Sequence, residues 1–312
     1  MKDSSLLKFL LYLPIALTML SCNKPEPMTY QVYLLSGQSN MDGLGLVSEL
    51  PGEYLITQND VPIYNPNRKN DQEHLENLGF WESLSPGHGS GYSTDGSQSF
   101  YSDKFGIELS FAKKMQELNP SANIALYKYA KGGASIHPDA AADWGSFHPD
   151  FEIGNGLNQW DHFEYHYQRA MQMRDINGDG VDDILIPAGL LWLQGESDAS
   201  FTQEIAESYE MNLKYLIQRV RELTGNTQLP VVIARISESN FNDDSPEGLV
   251  LRYGEIVMAA QEKIALDDPN VSIIYPPDSI GWLDPWHYDS QTYLDLGIRF
   301  AESMMKLSSQ SE

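Results

Sequence analysis

The sequence predicts an α/β protein of three layers, in which a parallel β-sheet lies between two layers of helices. Five short apolar segments have the length and composition of buried strands, at residues 31–36, 123–130, 184–193, 230–235 and 271–275. Helical patterns alternate with them, at residues 104–118, 159–174, 200–224, 248–266 and 291–307. Because strands that alternate with helices usually pair in parallel, we expect one five-stranded sheet covered on both faces.

Length and charge favour a single domain that does not bind polyanions. Residues 30–308 show no internal repeat or long linker and suffice for one core. Residues 43–102 are predicted to be a long irregular insertion. The formal net charge of −24 disfavours nucleic acid and anionic lipid, and it makes a neutral glycan a more natural substrate than a polyanionic one.

The N-terminus has the features of a bacterial lipoprotein signal. Residues 1–21 begin with basic side chains and continue with an apolar run too short to span a bilayer. Cys22, the single cysteine of the chain, follows directly, so no internal disulfide is possible. We expect a lipid on Cys22, a tether over residues 22–29, and secretion to the periplasmic side or the cell surface, attached to a membrane. The alternative is ordinary signal cleavage nearby, with an incidental thiol.

Polar motifs stand where the predicted strands end. The first strand runs into GQSNM at residues 37–41, the second into KGGAS at 131–135 and the third into QGESD at 194–198. The last strand precedes DPWH at residues 284–287. Ligands of open parallel sheets bind outside the carboxyl ends of the strands, so these motifs are expected to converge.

Three side chains in these motifs match a serine hydrolase. Ser39 supplies a hydroxyl nucleophile, His287 a general base, and Asp284 a carboxylate that orients the imidazole. Alone, Ser39 would read as a turn or helix-capping residue, and His287 as a surface histidine in an aromatic loop. The other motifs at the ends of predicted strands favour the catalytic interpretation.

The four motifs in this order resemble the SGNH (GDSL-type) hydrolase superfamily. Their residues are similar to the motifs of one branch, which holds the acetylxylan esterases of carbohydrate esterase family six and the sialate O-acetylesterases. The resemblance covers about residues 30–305. It implies a flavodoxin-like order of the five strands, a Ser-His-Asp triad, and catalysis without a cofactor.

The resemblance also implies an oxyanion hole. Its donors would be the backbone N–H of Ser39, the N–H of Gly133, with Gly132 as the alternative, and the side-chain amide of Gln194. The superfamily name refers to an asparagine at the last of these positions, so Gln194 is a departure typical of this branch.

Further polar residues are expected around the triad. Gln38, Asn40 and Glu196 are predicted to hydrogen-bond behind the catalytic side chains, as is Asp198. For the two carboxylates, capping of the next helix is an equally good interpretation. Arg235 and Arg252 are the basic residues we place nearest to the site.

Four tryptophans are candidates for stacking on sugar rings, although at least half of them are expected in the core: Trp81, Trp144, Trp160 and Trp286.

One loop resembles a calcium-binding loop. Oxygen ligands at positions 1, 3, 5, 7 and 9, with glycine at position 6, match the pattern, and the candidates are Asp175, Asn177, Asp179, the carbonyl of Val181, and Asp183. Position 12 is Ile186 instead of glutamate, so a plain Gly-rich turn is the alternative. His162 and His166 lack a third ligand and are predicted to lie on an exposed helix face rather than to bind a metal.

Together these features predict a secreted serine carboxylic-ester hydrolase that removes acetyl groups from a polysaccharide or oligosaccharide, with acetylated xylan as the first choice. The resemblance favours xylan over sialate because sialate esterases of this branch tend to carry an additional inserted domain, for which we expect no room in this chain. The alternatives are a sialate O-acetylesterase, a non-catalytic glycan-binding surface lipoprotein, and a metal-dependent deacetylase.

Overall fold

A computed structural model describes residues 25–66, 79–152, 158–241 and 248–309. The predicted signal peptide and Cys22 lie outside the described residues, so the lipid anchor stays a prediction. Across the described ranges, no helix combines the length and apolarity needed to cross a membrane.

The described part of the chain forms eleven strands and seven α-helices. The strands are β1 (Thr29–Gly37), β2 (Gly45–Leu46), β3 (Gln58–Tyr64), β4 (Trp81–Leu84), β5 (Ser93–Thr94), β6 (Ser99–Phe100), β7 (Lys104–Phe105), β8 (Asn123–Ala130), β9 (Ile184–Leu193), β10 (Val231–Ala234) and β11 (Val271–Ile274). The helices are α1 (Ser39–Asp42), α2 (Glu108–Leu118), α3 (Gln159–Gln172), α4 (Glu196–Ser200), α5 (Gln203–Thr224), α6 (Gly254–Asp267) and α7 (Ser290–Ser308).

A mostly parallel sheet of seven strands occupies the centre, in the order β11-β10-β9-β1-β8-β3-β4. The five predicted strands are β1, β8, β9, β10 and β11, and they pair in parallel with one another. The prediction of only five strands is wrong, because β3 and β4 extend the sheet. Both come from the insertion that was expected to be irregular. Val61 and Ile63 of β3 are fully buried, which a short segment interrupted by Pro62 did not indicate.

Helices cover both faces of this sheet. Along β1, Val32 and Leu34 point into one apolar cluster, while Tyr33 and Leu35 point into another. The first cluster includes buried residues of α3, α5 and α6, and the second includes those of α2 and α7. A strand that is apolar on both faces is typical of a sheet between two helical layers.

The histidines of α3 do not share an exposed face. His166 is fully buried and stacks on Tyr129, with ring centroids 6.4 Å apart. The expectation of an exposed face is therefore wrong for His166, because α3 turns this side toward the sheet. Trp160, on the same helix, is also buried.

Candidate active site

The turn after β1 brings Ser39 to the carboxyl edge of the sheet. Gly37 has a φ of +150°, and a Cβ there would lie 2.0 Å from the carbonyl oxygen of Leu193 on the neighbouring strand. Only glycine allows this approach, which lets the N–H of Gln38 donate to the same carbonyl at 3.0 Å. Ser39 then begins α1.

Three side chains form a continuous hydrogen-bonded series at this edge. His287 Nε2 lies 3.0 Å from Ser39 Oγ, and His287 Nδ1 lies 2.7 Å from Asp284 Oδ2. The other oxygen of Asp284 accepts the backbone N–H groups of Trp286 and His287 at 2.8 and 2.9 Å. Burial would raise the pKa of Asp284, but these hydrogen bonds, His287 first, hold it below the usual value. The carboxylate is thus kept ionised beside the imidazole.

Asn40 connects the turn that carries Ser39 to the loop that carries His287. Its side chain is almost completely buried, and its amide donates to Glu196 Oε1 at 2.7 Å and to the carbonyl of Trp286 at 3.1 Å. Its oxygen accepts from the Tyr293 hydroxyl at 2.8 Å and from the N–H of Tyr288 at 3.4 Å. Asn40 therefore holds together segments that are far apart in the sequence.

Gln38 and Glu196 lie behind the triad as well. The side-chain oxygen of Gln38 accepts the N–H groups of Gly195 and Ser197, both at 3.3 Å. Glu196 is buried, and its Oε2 has no hydrogen-bond partner among the described residues. Burial raises the pKa of Glu196 despite the hydrogen bond from Asn40.

The glycine motif after β8 is held from α4. Ser197 Oγ donates to the carbonyl of Gly133 at 2.9 Å. The carboxylate of Asp198 accepts the N–H groups of Ile136 and His137 at 3.0 and 2.8 Å. Asp198 thus shapes the loop that carries the candidate oxyanion donors, rather than capping a helix.

The predicted oxyanion donors have unequal positions. A Cβ on Gly132 would lie 3.6 Å from Ser39 Cβ, whereas a Cβ on Gly133 would collide with Trp144. Gly132 is thus the glycine that faces Ser39, and the role of Gly133 as an oxyanion donor stays a prediction. Gln194 is fully buried.

The amide of Gln194 is occupied elsewhere. Its Nε2 donates to Asp198 Oδ2 at 2.7 Å and to the carbonyl of Ala134 at 3.2 Å, while its Oε1 accepts from the Tyr209 hydroxyl at 3.1 Å. These bonds use both N–H groups of the amide, so the structure does not present Gln194 as an oxyanion donor. The longer glutamine side chain reaches the loop behind the site instead.

A buried cation supports α1 from behind. Lys128 is fully buried and pairs with Glu108 at 2.9 Å. Its ammonium also donates to the backbone carbonyls of Asp42 and His88 at 2.8 and 2.9 Å. One charged group therefore links the end of α1 to the insertion.

An open cavity of about 740 Å³ lies in front of Ser39 and His287. Its aromatic walls are Tyr92, Trp144, Phe201 and Trp286. Trp144 and Trp286 are 49% and 42% exposed, which leaves their rings available to a sugar. Trp81 and Trp160 are not among the cavity residues, in line with the expectation that half of the tryptophans pack in the interior.

The basic residue of this cavity is one that the sequence interpretation missed. Lys131 lines the cavity, whereas Arg235 and Arg252 do not. Arg235 lies over the ring of Tyr275, and Arg252 lies over that of Tyr253. The position of Lys131 directly before the glycine motif was a signal that could have identified it.

The predicted calcium loop is held by its own hydrogen bonds. Asp175 accepts the N–H of Gly180, and Asp179 that of Val181. In the described ranges, no three His, Cys, Asp or Glu side chains converge as a metal site.

Two further candidate calcium ligands, Asn177 and Asp183, also accept hydrogen bonds within the protein. Asn177 accepts the N–H of Asp179 at 3.0 Å. Asp183 is fully buried and accepts the N–H groups of Met28 and Ile176. The carboxylate of Asp183 thus joins the loop to the start of β1, and calcium binding stays a prediction.

The mostly parallel sheet and its two helical layers define an α/β fold with a cavity at the carboxyl edge of the sheet. The family model described as "Carbohydrate esterase, sialic acid-specific acetylesterase" matches residues 29–306. The chain belongs to this family of carbohydrate esterases.

Solved structures with the same fold include a protein from Arabidopsis thaliana, with a TM-score of 0.62 and 20% identity over 90% of this chain and 99% of that one. A carbohydrate acetylesterase from Xanthomonas citri gives 0.60 and 17% over 90% of this chain and 56% of that one. NanS gives 0.58 and 13% over 92% and 99%. At these identities the likeness concerns the fold alone. No curated protein matches the chain at a significant level.

Proposed function

We propose that this protein is a serine carbohydrate O-acetylesterase of the SGNH type. The observation that carries the proposal is the series Ser39 Oγ, His287 and Asp284, joined at 3.0 and 2.7 Å. A hydroxyl aligned on an imidazole that is oriented by a carboxylate is needed for nucleophilic catalysis and not for binding. This argues against a non-catalytic glycan-binding protein.

The geometry supports a two-step reaction. Ser39 Oγ attacks the acetyl carbonyl carbon while His287 Nε2 takes its proton. The backbone N–H groups of Ser39 and Gly132 are the proposed donors to the oxyanion, each worth about 3–4 kcal/mol in such sites. His287 then gives the proton to the departing sugar oxygen. Water, activated by the same imidazole, releases acetate from the acetyl-serine.

Two substrates have a specific observation in their favour. An acetyl ester on a neutral polysaccharide, acetylated xylan first, is favoured by the strongly acidic chain, with a net charge of −24. An O-acetylated sialic acid is favoured by the description of the family. We propose the neutral substrate and treat the sialate as the second candidate.

Acetate release and active-site labelling test the proposal. Ser39→Ala is expected to lower kcat on nitrophenyl acetate and on acetylated xylo-oligosaccharide by at least about a thousandfold. Ser121→Ala, at an exposed serine, is the matched control. A serine-directed phosphonate is expected to label the wild type at Ser39. Labelling at another residue, or substantial turnover by Ser39→Ala, would contradict the mechanism.

A further inference from the structure

Two side chains of opposite charge line the active-site cavity beside the nucleophile. Asp42 is the last residue of α1, and Lys131 follows β8 directly before Gly132. The N–H of Lys131 donates to the carbonyl of Gly37 at 2.9 Å, so the lysine begins next to the nucleophile turn. Among the described residues that line the cavity, Lys131 is the single lysine or arginine.

The two charges act on each other. Burial raises the pKa of Asp42 to about 6, against the opposite influence of Lys128, Lys131 and a hydrogen bond from Ser90. Burial lowers the pKa of Lys131 to about 8, against the influence of Asp42. At pH 7 both groups are therefore mostly ionised, and together they add no net charge to the cavity.

Such a pair is suited to a sugar without charge. A carboxylate accepts and an ammonium donates hydrogen bonds, and a sugar hydroxyl does both. An anionic sugar would bring a further negative charge to a lysine that Asp42 already compensates. Glu196, which is buried in the same cavity wall, has no positive charge with which to compensate an anionic sugar. Aromatic rings make up much of the remaining wall, so few charged groups are left to distinguish a neutral sugar from an anionic one.

We propose that Asp42 and Lys131 determine the sugar specificity of this protein by selecting a neutral acetylated sugar over an anionic one. The proposal rests on the esterase function above. In it, Lys131 contacts the sugar hydroxyls, and Asp42 both accepts from them and cancels the lysine charge.

The experiment compares two substrates in each enzyme at pH 7: acetylated xylobiose, which is neutral, and O-acetylated N-acetylneuraminic acid, which is anionic. The measured quantity is the kcat/KM for the sialate divided by that for the xylobiose. Asp42→Asn is expected to raise this ratio about tenfold, because it leaves the charge of Lys131 uncompensated. Lys131→Gln is expected to lower the ratio and to weaken the use of xylobiose.

The controls are chosen so that a change in folding cannot imitate the effect. A ratio of two substrates in one enzyme does not depend on the active fraction. The carbonyl of Asp42, not its carboxylate, accepts from Lys128, so Asp42→Asn keeps that bond. Lys263→Gln and Asp267→Asn alter an exposed Lys–Asp pair on α6 and are expected to leave the ratio unchanged.

The outcomes separate the two proposals. Suppose that the wild type hydrolyses nitrophenyl acetate and is labelled at Ser39. If the substrate ratios of Asp42→Asn and Lys131→Gln then both lie within threefold of the wild-type ratio, the role of the pair is refuted and the proposed function stands. A wild type that already prefers the sialate refutes the role of the pair as well. A wild type with neither esterase activity nor labelling refutes the proposed function, and the inference falls with it.

Discussion

Replacing Asn40 by alanine tests whether the active site is held together as the structure indicates. The side chain is 1% exposed and joins α1 to Glu196, to the carbonyl of Trp286 and to Tyr293. Asn40→Ala leaves each of these groups without the partner that it has in the wild type. The substitution does not touch any of the three triad side chains.

The expected cost follows from the bonds removed. The bond to Glu196 involves a carboxylate and contributes about 1.5–3 kcal/mol, while that from Tyr293 contributes roughly 1 kcal/mol. The partly buried carbonyl of Trp286 adds a smaller amount, so the free energy of unfolding should fall by about 3–5 kcal/mol. For a chain of this size that corresponds to a drop in Tm of about 10 °C. A shift of His287 by about 1 Å relative to Ser39 would also lower kcat roughly a hundredfold.

The measurements are thermal unfolding and nitrophenyl acetate turnover well below the lowered Tm. Asn59→Ala, at an exposed asparagine of β3, is the control and should change Tm by less than about 2 °C. If Asn40→Ala lowers Tm by less than about 2 °C and keeps kcat within threefold of the wild type, the connecting role of Asn40 is refuted.

Three further predictions concern other parts of the molecule. Burial raises the pKa of Glu196 in the folded state, so its ionisation opposes folding as the pH rises above the unfolded value; Glu196→Gln should raise Tm near pH 8 but not near pH 4. Trp144→Ala should raise KM for acetylated xylo-oligosaccharide about tenfold and affect nitrophenyl acetate less, because the exposed ring lines the cavity; equal effects on both substrates would argue against stacking. Asp183→Ala should lower the free energy of unfolding by about 2–4 kcal/mol in calcium-free buffer, because it strands the N–H groups of Met28 and Ile176; a loss seen only with calcium present would indicate a metal ligand instead.

The sequence by itself determined which motifs meet. Each followed an apolar segment, and the carboxyl ends of parallel strands lie at one edge of a sheet. Ser39 and His287, 248 positions apart, therefore come within a hydrogen bond of each other. Asp284 reaches the same imidazole because a spacing of three residues is short enough to close within one turn of chain. The apolar segments themselves indicated the parallel part of the sheet.

Only the tertiary structure decided where several of these side chains point. The amide of Gln194 turns to Asp198 and Ala134 because a longer side chain finds a buried carboxylate behind the site, and spacing along the chain contains no information about that partner. The strands of the insertion escaped prediction because their stability comes from pairing with β8 rather than from local pattern. Lys131 and Asp42 line the same cavity because β8, which precedes Lys131, pairs with β1, which precedes the helix of Asp42. Long-range contacts of this kind arise only once the sheet has brought distant segments together. The local sequence pattern therefore does not indicate which charged side chains line the cavity.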